Sequence, residues 1–274
     1  GPSCIEPSWA TASHNDGPRG IDNAVGQFAA AVDALALDEA TASPDTPDLV
    51  FRVSGYSGDP DDDQVTASFY IGLGVAPRAD GGPELLWDGQ DRWNVMPEVL
   101  APSDDGGAPS YDVDRPKFQD TAAYVNGGVL VMRLQHIAWP VGSPLAPTSL
   151  GSIETLVLTG NLVRVGSLWE LQGITTGAVA DARRFLATAA RFPQSGNTSV
   201  PVCQAPDQYR SLKQRLCSFV DIAAGSSSPT ATCDALSGGS HLEAKQALLG
   251  GVSAPAAPLP PCDPSIDPDT DSCD

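Results

Sequence analysis

The chain has 274 residues, with 34 acidic and 15 basic side chains for a net charge of −19. Such a surface repels phosphate backbones and anionic headgroups, which excludes nucleic acid and anionic membrane surfaces as partners. The 27 glycines and 25 prolines favour turns and short strands over a long-helix bundle, and no apolar run is long enough to form a transmembrane segment.

The first element is a helix: Asp22 stands as its cap, and Val25, Phe28, Val32 and Leu35 recur at helical spacing. Leu49 to Val53 reads as a buried strand. Gln64 to Ile71 alternates with period two, placing Val65, Ala67 and Phe69 on one face, and pairs with the preceding strand around Gly55, Gly58 and Pro60. Leu85–Trp87 and Trp93–Val95 flank a D-G-Q-D turn, and residues 101–120 read as a long surface loop. Ala123–Val125, Asn-Gly-Gly and Val129–Leu134 form a hairpin, since Asn-Gly supplies the positive φ of a primed turn. Three short strands follow, at Ile153–Leu158, Leu162–Val165 and Leu168–Leu171.

After Gly177 the character changes. Asp181 caps a helix bearing Phe185, Leu186, Ala189 and Phe192, which Pro193 stops, and Asp207 opens another with Tyr209, Leu212, Leu216 and Phe219. Ser240-His-Leu-Glu243 has the form of a capping box, with Gly250-Gly251 closing the helix it would start. Residues 253–274 are a Pro- and Asp-rich tail without regular structure. The predicted fold is mostly β with added α. It is an antiparallel, jelly-roll-like β-sandwich with an N-terminal helix over 1–200, and a small disulfide-pinned helical region with the tail over 201–274.

The six cysteines, Cys4, Cys203, Cys217, Cys233, Cys262 and Cys273, contain no C-x-x-C pair. This disfavours a zinc ribbon or redox motif and points to structural disulfides in an oxidising compartment, for a protein secreted or displayed at the cell surface. Six cysteines allow 15 connectivities. The preferred set is Cys203–Cys217, Cys233–Cys262 and Cys4–Cys273; in an alternative reading Cys4 carries the lipid of a bacterial lipoprotein. Gly1-Pro2 reads as a protease-cleavage scar, which would account for the lack of a signal peptide.

No nucleophile elbow, Walker loop, dinucleotide fingerprint or H-E-x-x-H occurs, and His14, His136 and His241 do not lie at metal-ligand spacing. His136 reads as a strand-end residue. The densest carboxylate cluster is Asp59, Asp61, Asp62 and Asp63, whose oxygens on a flexible turn suit a structural calcium ion. Tyr56, Trp87 and Trp93 lie beside carboxylates in the manner of a sugar subsite. Asp88 and Glu170 are the corresponding acid pair for glycoside hydrolysis, which needs two carboxyls about 5–10 Å apart.

The string Leu49-Val-Phe-Arg-Val-Ser-Gly-Tyr-Ser-Gly-Asp-Pro-Asp-Asp-Asp-Gln-Val65 resembles a motif of predicted secreted proteins or lipoproteins of bacteria with large exoprotein repertoires. Gly20-Ile-Asp-Asn-Ala-Val-Gly26, Trp87-Asp-Gly-Gln-Asp-Arg-Trp93 and Cys233-Asp-Ala-Leu-Ser237 share that resemblance. It implies export and a disulfide-bearing C-terminal region, and it carries over no catalytic residue. A fold-level likeness to laminin-G and concanavalin-type jelly rolls rests on strand number and acidic loops. The expected function is an exported binding module for a glycan or another cell-surface component. Its rivals are a carboxylate-dependent glycoside hydrolase and a structural envelope protein.

Overall fold

Alternating apolar residues build one large sheet, and short amphipathic helices gather at one end of it. The computed structural model describes residues 4–12, 23–31, 47–77, 85–103, 109–140, 150–166, 168–194, 197–225, 228–255 and 260–273. In chain order these contain α1 (Ala24–Ala31), β1 (Asp48–Ser54), β2 (Asp62–Val75), β3 (Arg92–Val95), β4 (Leu100–Pro102), β5 (Tyr111–Pro116), β6 (Phe118–Asn126) and β7 (Val129–Pro140). Then come β8 (Leu150–Val165), β9 (Leu168–Asp181), α2 (Ala182–Ala189), β10 (Pro193–Gln194), β11 (Asn197–Pro201), α3 (Pro206–Ser218), β12 (Ala235–Leu242) and β13 (Leu248–Val252).

The main sheet runs β12-β9-β8-β7-β6-β2-β3-β13, with β1 pairing on β2. Gly72 of β2 pairs with Asp48 and also with Val95, so β1 lies along one edge of β2 while β6 and then β3 share the other. All pairs are antiparallel except β13 on β3, which is parallel. The Pro97–Val99 turn and the β4–β5 ribbon pack against β2 and complete a mostly β, sandwich-like body. Where they do, Ser68 and Tyr70 are buried along with Val65, Ala67 and Phe69. Residues 101–120 therefore carry strands rather than a continuous loop.

The hairpin at Asn126 is confirmed with one refinement. Asn126 pairs with Val129, so the two turn residues are Gly127 and Gly128, at φ 57° and 81°, values that cost glycine nothing. Two of the expected short strands merge into β8. Gly160 breaks no strand there; a Cβ on it would lie 2.8 Å from the Leu171 side chain, so the missing side chain permits close packing. The capping box is not realised. Ser240 to Leu242 continue β12 in register with β9, and Ser240 and Thr176 share a 2.6 Å hydroxyl contact. Cross-strand pairing outweighs a local cap that has no amphipathic helix behind it. The segment 201–274 thus returns two strands to the sheet besides supplying α3.

Asp181 caps α2, its Oδ1 accepting from the Arg184 amide at 2.8 Å. Asp207 lies in the first turn of α3 behind Pro206 and makes no cap. α1 is capped by Asn23, whose Oδ1 accepts from the Gly26 amide at 2.8 Å; Asp22 lies outside the described residues. Helices, cystines and tail enclose a second core around Phe28, Leu186, Leu212 and Leu216, separate from the sheet core of Phe69, Ile71, Met132 and Leu158.

All six cysteines are paired, but as Cys4–Cys233, Cys203–Cys262 and Cys217–Cys273. The expected Cys203–Cys217 bridge is ruled out by α3. Cys203 precedes that helix and Cys217 ends it, so at about 1.5 Å per residue they stand roughly 20 Å apart. Bridged Cα atoms lie about 4.4–6.8 Å apart. The tail contains no helix or strand over 260–273, yet two cystines and the Arg191–Asp269 and Lys213–Asp271 ion pairs hold it on the helical core.

Candidate ligand-binding site

A cavity of about 340 Å³ lies at the seam between the two cores, between α1, α2 and the inner face of β7, β8, β9 and β12. Val25 and Phe185 come from the helices, Trp139, Ile153 and Leu156 from the sheet, and Phe192 from the residues after α2. Thr176 and Ser240 also line it, but their hydroxyls satisfy each other, so the interior presents mainly carbon. Asn23 ties α1 across the edge of β12: its side-chain amide donates to Gly239 O at 2.9 Å while its oxygen caps the helix. Gly26 lets that happen, because a Cβ there would meet the Asn23 side chain at 2.5 Å. The cavity is thus framed by specific hydrogen bonds.

One wall leads to a polar cluster. Glu154, 13% exposed, accepts from Arg184 Nη1 at 2.6 Å through Oε1, and its Oε2 lies 2.7 Å from His136 Nδ1. Arg184 Nη1 also donates to Oγ of Ser152, a residue of the cavity wall, at 3.3 Å. His136 reaches Glu154 through an irregularity in β7. Leu130, Met132 and Leu134 point inward, Gln135 and His136 are both exposed, and Ile137 points inward again. The phase changes at His136, whose φ is 50°, a left-handed value uncommon outside glycine. The apparent strand-end histidine therefore sits in mid-strand, facing Glu154 between the Gln135–Thr155 and Ile137–Ile153 pairs.

The residues singled out in the sequence lie elsewhere. Trp93 is 2% exposed, with its ring 3.1 Å from where a Gly72 Cβ would stand, and belongs to the core rather than to a stacking surface. Trp87 is 40% exposed, at φ 57°, with its ring centroid 6.1 Å from that of Trp93. The loop that holds it wraps around buried Asp91, which accepts from the Leu86 and Trp87 amides at 3.2 and 2.6 Å. Tyr56 and Trp169 pack in a T-shape, centroids 5.0 Å apart, and the Tyr56 hydroxyl donates to Asp59 O at 2.9 Å.

In the acidic loop, Asp61 accepts from the Gly127 amide at 2.8 Å and Asp62 from the Ser57 amide at 2.9 Å. The Ser57 amide and hydroxyl hold the Asp62 carboxyl below its ordinary value. Asp59 and Asp63 are exposed. Among the described residues no three His, Cys, Asp or Glu side chains converge as a metal site. Asp88 and Glu170 do not face one cleft. Asp88 precedes β3, which pairs with the end of β2, whereas Glu170 lies where β9 starts, at the end of the sheet where β2 begins. The 14 residues of β2 separate them by on the order of 40 Å of strand.

The three disulfides fit a non-cytoplasmic, oxidising compartment. Among the described residues no helix is long and apolar enough to cross a membrane. Compared with protein-family models, with curated proteins and with solved structures, the chain has no match in any of the three.

Proposed function

We propose that the chain is an exported binding protein for a small amphiphile whose apolar part occupies the cavity between α1, α2 and the sheet. The observation that carries this reading is the cavity itself: a concave, carbon-lined space at the junction of two cores, with only Asn23, Ser152, Thr176 and Ser240 as polar side chains on its wall, is the usual form of a small-molecule site. At about 30 Å³ per water-sized group, 340 Å³ accommodates roughly a dozen non-hydrogen atoms. A glycan ligand is supported less well, since Trp93 is buried and the Tyr56 ring packs in a T-shape against Trp169. Paired-acid hydrolysis lacks a facing pair in Asp88 and Glu170.

1-Decanol matches the cavity in size and serves as a neutral probe. Because a ligand that binds only the folded state raises its stability, saturating 1-decanol should raise Tm by several degrees. Ala178→Phe or Ala180→Leu, each projecting into the cavity from β9, should abolish that rise while leaving the fold intact by circular dichroism. No rise in the parent chain, or an equal rise in the filled variants, overturns the proposal.

A further inference from the structure

The polar cluster beside the cavity has a definite chemical sense. Both oxygens of Glu154 are engaged, one by Arg184 and one by His136, and the Arg184 guanidinium balances its charge. What faces outward is therefore not the carboxylate but the guanidinium. Arg184 is 54% exposed; its Nη1 is engaged by Glu154 and Ser152, while its Nε and Nη2 hydrogens have no partner among the described residues. That free edge is the fork that accepts a carboxylate through two parallel hydrogen bonds.

Arg184 is also held in place. It lies in the capped first turn of α2, where Asp181 takes its backbone amide, and it immediately precedes Phe185 of the cavity wall. Glu154 fixes its Nη1, and His136, at a left-handed φ of 50° within β7, stands 2.7 Å from the other oxygen of Glu154. Ser152 joins the guanidinium to the apolar wall through a single hydrogen bond.

Resting on the reading of the cavity as a ligand site, we infer that the protein selects amphiphiles with a carboxylate head. The head would seat on the Nε–Nη2 edge of Arg184 and the tail would enter between Phe185 and Ile153. Glu154 and His136 are positioning residues: they aim the guanidinium and do not touch the ligand.

Decanoate and 1-decanol differ little except in the head, so their affinities measured by calorimetry at low salt separate the two parts of the argument. The parent chain should bind decanoate at least about tenfold more tightly than 1-decanol. In Arg184→Gln the ratio should fall to about one with 1-decanol affinity unchanged, and Arg184→Lys, which keeps charge without the fork, should lie between. Because Arg184→Gln leaves Glu154 unpaired, the double variant Arg184→Gln/Glu154→Gln repeats the measurement with that charge removed. Binding of 1-decanol with no preference for decanoate overturns the head-group assignment and leaves the cavity reading standing. A preference that survives both Gln variants overturns it too. Failure of the parent chain to bind either compound overturns both.

Discussion

The sheet body and the helical end are stabilised in different ways. The sheet core of Phe69, Ile71, Leu130, Met132, Leu134, Leu156 and Leu158 contains no cystine and is closed by backbone ladders between long strands. The helical end contains all three cystines. Its helices have 8, 8 and 13 residues, lengths at or below the roughly 12–15 at which an isolated helix is even marginally stable, and the tail supplies no ladder at all. Cross-links occur where regular structure offers least. In the chain-entropy account, closing loops of 59 and 56 residues restricts the unfolded chain by about 4 kcal/mol each.

The sharpest way to break this comparison is to remove both tail bridges, replacing Cys203, Cys262, Cys217 and Cys273 with serine. The loss should be about 5 kcal/mol, less than the sum because the loops overlap. Hydrogen exchange should rise across α3 and residues 260–273 while β6 to β9 keep their protection. If the sheet amides exchange at the same rate as those of α3, the two regions unfold as one unit and the contrast fails. Leu158→Ala makes the opposite test. It empties a fully buried site in the sheet core and should cost about 3 kcal/mol, read from denaturant unfolding, with β7 and β8 losing protection ahead of α3.

That contrast also separates what could be read in the sequence from what could not. An apolar run disclosed β1, strict alternation and turn chemistry disclosed β2 and the Asn126 hairpin, and apolar spacing with Asp181 and Pro193 disclosed α2, because each of these choices is local. Ser240 to Leu242 misled because its fate is set by β9, which is distant in sequence. Gly160 misled because a glycine that ends a strand and one that admits Leu171 look alike until the partner strand is placed. The cystines were recognisable as a set but not as pairs; yet the expected α3 helix already held Cys203 and Cys217 too far apart to bridge. The cavity drew on several elements at once. Its signal was weaker still: Glu154 within an apolar strand and Arg184 after a helix cap are ordinary in isolation, and only the fold brings them together with His136.

The smallest expected effect tests whether charge helps the cystines hold the tail. Asp271 Oδ1 lies 2.6 Å from Lys213 Nζ, and Oδ2 accepts from the Tyr209 hydroxyl at 2.8 Å. Burial pushes the Asp271 carboxyl up, but Lys213, Tyr209 and the Ser272 amide together outweigh burial and hold it below the ordinary carboxylate value. The Tyr209 hydroxyl moves well above the usual phenol value, through burial first and then through its bond to Asp271. A carboxyl depressed in the folded state contributes stability that is complete above its unfolded value near 4 and disappears as pH falls through the lower folded value. Asp271→Asn should therefore cost about 1 kcal/mol at pH 7 and flatten the dependence of Tm on pH below 4. Asp263, which the Ser265 hydroxyl and amide hold below the ordinary value with no cation contributing, supplies the control: Asp263→Asn should leave the Tm at pH 7 nearly unchanged. If Asp271→Asn keeps the acid slope of the parent chain, the Lys213–Asp271 pair has no part in holding the tail, which is then left to the two cystines and the Arg191–Asp269 pair.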